Sequence, residues 1–483
     1  MDKFILEETT IKEIHRAFIE GTLTSTELVE MYLKRIEKLD GKVNSVILIN
    51  PKCKDEARKI DSDIKNDGIT KKLQGIPIIL KDNVDVKGLV TTAGSLSLKE
   101  NIASEDSFIV KKFKEEGAII LAKVNLHEFA IWGETISSIK GQTINPYDSS
   151  RTPGGSSGGT GASIALNFGT VGIGTDTINS VRSPSSANSL VGIRPTIGLV
   201  SRGGIVPYSY TQDTAGPLAR TVEDAVKVLD VISGYDKDDI VTSWSYNEKN
   251  KNYLNHLIVH GLKEKRIGVL NNFFGKEEIH YETNVAVRES IEIMKLNGAD
   301  IIQINDIIDS EYLVKNVSVH LHDLKDHLNS YLEKLPKNLP HSVSDILKSK
   351  KYHSGIEENL QNAMKLSTDS DEYNKRLVLR EKVKTDTMNL FSKYDLDAIV
   401  YPHQKQLVCK IGESQNERNG VLASVTGFPS ICMPSGFSKP TKTSPLGVPI
   451  GLELLGTPFS EEKLIEISYS FEIFSKKRQK PKL

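Results

Sequence analysis

The chain has 483 residues, 62 Lys+Arg against 63 Asp+Glu, a formal net charge of −1, and 38% hydrophobic and 26% charged residues. That balance describes an ordinary globular protein long enough to bury a large core unaided, and it excludes a strongly basic nucleic-acid binder. Cys53, Cys409 and Cys432 are odd in number, far apart and in no C-x-x-C pair, which excludes a disulfide framework and zinc spacing.

The opening MDKFILEETTIKEIHRAF is charged from its second residue and lacks the apolar run of a secretory signal. No stretch of roughly 18 apolar residues follows, so the expectation is a cytoplasmic protein that spans no membrane. Thr24 followed by Glu27 fits a capping box, and Leu28, Val29, Tyr32, Leu33 and Ile36 then recur at helical spacing. The run GIPIILKDNVDV, Gly75 to Val86, reads as a buried strand with the cation of Lys81 at its end. Phe108 to Val124 reads as a helix, a break at Gly117 and a strand, an alternation that favours an α/β sheet with parallel strands.

Residues 152–193 stand apart. Asp176 and Arg182 are the charged side chains of that segment, and 12 of the 35 glycines fall between Gly154 and Gly204. A flexible linker would be as rich in Gly and Ser, but linkers lack apolar runs such as Ala162–Phe168 and Val171–Gly174. The segment therefore reads as buried structure whose hydroxyls must find hydrogen-bond partners. From about 235 to 395 the texture turns to Lys, Asn, Asp and Glu with amphipathic helical patterns, as in Ala286–Leu296 and Arg376–Phe391. LDAIVYP (Leu396–Pro402), GFPSICMP (Gly427–Pro434) and VPIGLELLG (Val448–Gly456) read as three buried strands. A last helix, Glu462–Phe474, leads into a basic tail that reads as a solvated terminus.

For GGSSGGTG (Gly154–Gly161), nucleotide readings fail. A P-loop needs a Lys after its last Gly, and a dinucleotide fingerprint needs G-x-G-x-x-G spacing. A Ser-His-Asp hydrolase is also weak: there is no G-x-S-x-G elbow and no histidine between His127 and His256. What remains is a serine activated by another base. A lysine serves if burial holds it neutral, and Lys81, on an apolar strand beside a charge-poor core, has that setting. Asp82 argues against it unless the strand's alternation turns that carboxylate to the opposite face; Lys81 capping a strand end in solvent is the bland alternative.

RTPGGSSGGTGASIA followed by GIGTDTINSVRSPSSANSLVGIRPTIGLVSRGGIVP resembles the signature region of the amidase signature enzymes. GIPIILKDNVDVKGLVTTAGS, NPYDSSRTPGG, TQDTAGPLARTVEDA, TGFPSICMPSG and VPIGLELLG resemble further blocks of that family. The resemblance covers nearly the whole chain and is weakest between about 235 and 395. It implies one α/β amidase domain over 1–483, with a mixed, mostly parallel central sheet covered by helices on both faces. Within it, 75–225 is the catalytic core segment and 235–395 a variable helical region. The family's Ser–cis-Ser–Lys triad carries over to Lys81, to Ser156 as the bridging serine in a cis peptide, and to Ser180 as nucleophile. The oxyanion hole falls on the backbone N–H groups of Thr177, Ile178, Asn179 and Ser180. Ile178 and Asn179 stand where the family usually has two glycines, so Ile178 is expected at negative φ with its side chain narrowing the acyl pocket.

The expected reaction is cleavage of a carboxylic or peptide-terminal amide by a stand-alone enzyme through an acyl-enzyme on Ser180, with no metal and no organic cofactor. The alternative is the A subunit of a glutamyl-tRNA(Gln)-type amidotransferase, releasing ammonia from glutamine for a partner. Partners are otherwise a small-molecule amide substrate and, as an open option, a second copy in a homodimer; nucleic acid is not expected. Ser157 is read as supporting the relay, and Asp176 and Arg182 as a structural pair. His320, His322, Asp323 and His327 are read as a solvated helix face rather than metal ligands, and Cys432 as a buried small hydrophobe.

Overall fold

The computed structural model describes residues 4–248 and 251–482. Thr24 caps the helix Ser25–Val43 with a complete capping box, and Asn44, in the left-handed region, ends it. The remaining elements alternate from there. The strands are β1 (Val46–Ile49), β2 (Pro77–Lys81), β3 (Ile119–Val124), the short hairpin β4 (Ile136–Ser137) and β5 (Gly141–Gln142), β6 (Val171–Asp176), β7 (Val191–Arg194), β8 (Thr214–Ala219), β9 (Arg266–Leu270), β10 (Asp300–Ile304), β11 (Ala398–Pro402), β12 (Ser430–Phe437) and β13 (Pro449–Leu455). Eleven of them form one mixed sheet in the order β1-β3-β2-β6-β8-β7-β12-β13-β11-β9-β10.

The expected α/β class holds, and so does the mixed sheet. Parallel pairing occupies two stretches, β3–β2–β6 and β11–β9–β10, four of the ten ladders in this sheet. Each stretch contains a strand–helix–strand crossover, through Phe108–Glu115 and through Tyr281–Leu296. The middle is antiparallel, where β12 and β13 follow each other closely enough to pair as a hairpin. Every residue of β2, β3, β6, β8, β11 and β13 is buried. Burying one Ile or Val side chain is worth about 1.5–3 kcal/mol, so these strands anchor the core.

Two differences from the sequence reading concern the periphery. The region 235–395 is helical in large part, but it also contributes β9 and β10, which end the sheet on one side. The basic tail is tied down rather than solvated. The Arg478 guanidinium meets the Glu8 carboxylate at 2.8 and 2.9 Å, and the carbonyl of Gln479 accepts the Tyr147 hydroxyl at 2.6 Å. No helix among the described residues is long and apolar enough to cross a membrane.

The glycine-dense segment is buried throughout. It forms the helix Gly158–Ala165 and then β6. A side chain at Gly159 would overlap the carbonyl of Asn125, so the close approach of helix to strand requires glycine there. Among the hydroxyls of this segment, Thr160 donates to the carbonyl of Ile173 at 3.1 Å and Ser163 to Ser45 Oγ at 3.0 Å.

Candidate active site

Lys81 is the last residue of β2, fully buried. Its Nζ lies 2.8 Å from Ser156 Oγ, 2.8 Å from Thr175 Oγ1 and 3.4 Å from the Thr175 carbonyl oxygen. Removal from water pulls its ammonium down to about 7, against an opposing pull from the carboxylates of Asp213 and Asp176. Asp82 faces away: one oxygen lies 2.7 Å from Lys123 Nζ and the other accepts from the N–H and hydroxyl of Thr92. The strand's alternation thus separates neighbouring charges, and Lys81 is left with hydroxyl partners.

The peptide between Gly155 and Ser156 is cis, as the family resemblance implies. The carbonyl of Ser156 accepts from the N–H of His127 at 3.0 Å. Ser157 donates its hydroxyl to the Thr175 carbonyl at 3.2 Å and accepts from the Thr175 N–H at 3.3 Å, which fixes the loop to the end of β6. The N–H of Ser157 also donates to the carbonyl of Ser180 at 3.3 Å. That bond brings residue 180, distant in sequence from Lys81, beside the Ser156–Ser157 turn. Lys81 and Ser156 are fully buried, whereas Ser180 is 6% exposed and so is the member of the trio open to solvent.

The loop between β6 and the helix Arg182–Ala187 has its carbonyls engaged. The carbonyl of Ile178 accepts from Arg182 Nη2 at 2.7 Å and from the Ser424 hydroxyl, that of Asn179 from the Ser183 N–H at 2.7 Å, and that of Thr177 from Gln212 Nε2 at 3.3 Å. Among the described residues, the N–H groups of Thr177, Ile178, Asn179 and Ser180 donate to no protein acceptor. Four successive free donors beside a serine hydroxyl can stabilise an oxyanion. Ile178 and Asn179 are absent from the positive-φ residues, so this loop needs no glycine where they stand. The Ile178 side chain belongs to the apolar cluster that includes Phe273, Leu313, Val421 and Phe428.

Beneath that loop lies a buried ionic network. Asp176 meets Arg182 at 3.0 Å and Arg194 at 2.7 Å, and it also accepts from the Val181 N–H at 3.0 Å. Arg182 reaches on to Glu453 and donates to the carbonyl of Gly420 at 2.9 Å. Glu453 in turn accepts from Tyr401 at 3.0 Å and Ser430 at 2.7 Å, with His403 Nδ1 2.8 Å away. The two arginines hold the Asp176 carboxyl far below the usual carboxylate range; Arg182 and His403 hold Glu453 at about 2 despite complete burial. Asp176 and Arg182 thus form a pair, and Arg194, Glu453, Thr175 and Ser424 are participants that sequence reasoning missed. Ser424 lies outside the family blocks, whereas Thr175, Arg194 and Glu453 lie within them and could have been found there. Asn83, which donates to Thr175 Oγ1 at 3.1 Å, did lie within one of the family blocks and could have been found there.

The histidine cluster is a correction. His320, His322 and Asp323 are buried rather than solvated, with His320 edge-on to Tyr208 and His322 beside Tyr373. Tertiary cover from these aromatics overrides the polar look of the helix. Asp323 accepts from Ser209, and the half-buried His327 accepts from the Tyr210 N–H at 3.0 Å. No group of three or more His, Cys, Asp or Glu suited to a metal occurs among the described residues. Cys432 is fully buried in β12.

The Amidase family model matches residues 27–465. A probable amidase of Arabidopsis thaliana is 34% identical, over 99% of this chain and 92% of that protein. The A subunit of the glutamyl-tRNA(Gln) amidotransferase of Thermoanaerobacter pseudethanolicus is 32% identical, over 99% of this chain and 98% of that protein. The structure of native peptide amidase from Stenotrophomonas maltophilia superposes with a TM-score of 0.89 at 31% identity, covering 99% of both chains. Buried lysine, cis-linked serine and charge-poor loop therefore belong to a chain whose relatives match it from end to end: it is a member of the amidase signature family, hydrolases acting on amide C–N bonds.

Proposed function

We propose that this chain hydrolyses a carboxylic or peptide-terminal amide to the acid and ammonia or an amine, through an acyl-enzyme on Ser180. The observation that carries the reading is the contact of a desolvated Lys81 Nζ with Ser156 Oγ at 2.8 Å. Near pH 7 and above, that amine has a neutral fraction able to accept a proton, which few lysines have. Ser180 attacks the carbonyl carbon, its proton passing to Ser156 as the Ser156 proton passes to Lys81. The tetrahedral oxyanion sits on the N–H groups of residues 177–180, where a single donor is typically worth about 10²–10³ in rate. The relay then returns the proton to the leaving nitrogen, the C–N bond breaks, and water releases the acid by the same path. Ser157 supports the relay by holding Thr175, which is the second hydroxyl on Lys81.

Labelling with a fluorophosphonate and mapping the modified peptide tests the assignment. Modification at Ser180, lost in Ser180→Ala, is expected; modification elsewhere overturns it. Likeness to the A subunit of glutamyl-tRNA(Gln) amidotransferase supports a second reading, in which the same residues release ammonia from glutamine for a partner. Turnover of simple amides by the purified chain favours the first reading. Glutaminase activity that appears only when a partner protein is added favours the second.

A further inference from the structure

The N–H groups of Thr177, Ile178, Asn179 and Ser180 each belong to a peptide unit whose other end is held. These peptides are trans, and a trans peptide points its N–H opposite to the carbonyl of the preceding residue. Holding that carbonyl therefore aims the donor. The carbonyl of Asp176 accepts from Arg194 Nη1 at 2.6 Å, that of Thr177 from Gln212 Nε2 at 3.3 Å, and that of Asn179 from the Ser183 N–H at 2.7 Å. The carbonyl of Ile178 has two donors, Arg182 Nη2 at 2.7 Å and the Ser424 hydroxyl.

Ser424 is the contact that local structure does not explain. It lies fully buried on the short helix Val421–Thr426. A hydroxyl inside a helix commonly turns back to the carbonyl four residues earlier. Thr426 on the same helix does so, donating to the Leu422 carbonyl at 2.8 Å. Ser424 instead donates across to Ile178, and its oxygen accepts from Arg182 Nη2 at 3.2 Å. Arg182 is shared with Asp176, Glu453 and the Gly420 carbonyl, so it holds the ionic network as well as the loop. The Ser424 hydroxyl, among the described residues, donates to the Ile178 carbonyl alone. At the start of the same helix, Gly420 lies so close to Asn179 that an added methyl would sit 3.0 Å from the Asn179 Cβ. The helix thus meets both residues of the peptide that carries the Asn179 N–H.

We propose that Ser424 is a positioning residue for amide hydrolysis: its hydroxyl fixes the Ile178 carbonyl and so aims the Asn179 N–H at the oxyanion. It acts through the peptide and not on the substrate. This inference rests on the amidase reading above and adds to it the group that orients one donor. Removing Ser424 leaves the Arg182 charge paired with Asp176 and Glu453, which makes the hydroxyl separable from the ionic network.

The test measures hydrolysis of hexanamide and N-acetyl-leucine amide, together with inhibition by pentyl trifluoromethyl ketone, which forms a tetrahedral adduct on a nucleophilic serine. Ser424→Ala is expected to lower kcat by about tenfold or more, since one oxyanion donor is typically worth more than that. KM should stay within about twofold, and affinity for the ketone should fall by the same factor as kcat. Ser424→Thr, which keeps a hydroxyl, should retain most of the rate; Ser424→Val, of the same shape without it, should not. This second pair decides the point if Ser424→Ala fails to fold. Thr426→Ala removes a hydroxyl bonded within the helix and is expected to lower thermal stability with kcat unchanged. A kcat in Ser424→Ala no lower than in Thr426→Ala, or equal rates in Ser424→Thr and Ser424→Val, overturns the proposal. Should wild type turn over neither amide, the amidase reading fails separately. The rate of fluorophosphonate labelling at Ser180 in Ser424→Ala against wild type then decides this one: a slower rate supports it, an unchanged rate overturns it, and no labelling in wild type overturns both.

Discussion

The carboxylate of Asp82 lies 2.7 Å from Lys123 Nζ, on the side of β2 opposite to that of its neighbour Lys81. Without this pairing a negative charge would lie next to Lys81 and favour its ammonium form. With it, burial dominates and the amine sits near neutrality. Replacing Lys123 by Met is expected to strand a buried carboxylate. We expect a stability loss of about 3–5 kcal/mol in denaturant titration.

The relay residues should behave as a unit. Ser180→Ala, Ser156→Ala and Lys81→Ala are each expected to lower kcat for amide hydrolysis by at least about 10²–10⁴-fold, with combinations costing little more than the worst single change. Near wild-type turnover in Ser180→Ala would remove the nucleophile assignment.

The pH dependence follows from the direction of the Lys81 shift. The base must be unprotonated, so kcat/KM should rise with pH through about 7 and level off above it. Stability carries the same signature. Lys81 titrates near 10.5 when unfolded and near 7 when folded, so between those values the unfolded state binds more protons and stability climbs with pH. The difference in unfolding free energy between Lys81→Met and wild type should therefore favour the mutant most below about pH 7. It should shrink steadily towards pH 10.5, as measured by denaturation at several pH values.

Asp176 joins two buried arginines, so Asp176→Ala leaves like charges facing each other without water. A loss of about 3–5 kcal/mol is expected, read by urea unfolding of the soluble fraction. The folded-state pKa values of Asp176 and Glu453 are depressed below the usual 3.8 and 4.5. Their contribution is accordingly present above those unfolded values and is lost as the pH falls through the lower folded ones.

Ile178 is expected to matter through packing. Ile178→Ala should cost about 2–5 kcal/mol by emptying a site in the apolar cluster around Phe273 and Val421. Ile178→Gly should bring no gain in kcat/KM, because the loop does not require positive φ there. A more active glycine variant in a steady-state assay would show that the isoleucine had displaced the oxyanion donors.

Local pattern carried much of this architecture and fails where neighbours decide. PIILK announced β2 and its terminal lysine because apolar side chains fill both faces of a buried strand. The capping box at Thr24 is likewise written within four residues. β9 and β10 went unseen because RIGVL and DIIQI are five-residue runs set in polar text at the edge of the sheet. His320, His322 and Asp323 looked solvated because a helix does not reveal that Tyr208 and Tyr373 will cover it. At the site, family blocks singled out Lys81, Ser156 and Ser180, which the fold brings into one neighbourhood. Thr175 and Glu453 lay inside those blocks unread, and Ser424, outside them, meets the loop through folded distance alone.

The clasp between Arg478 and Glu8 couples segments separated by nearly the whole polypeptide. Loss of residues 478 and 479 would take the guanidinium from Glu8, which keeps the Asn167 amide, and the Gln479 carbonyl from Tyr147. Digestion there would thin the anchoring of two distant segments at once rather than fray one.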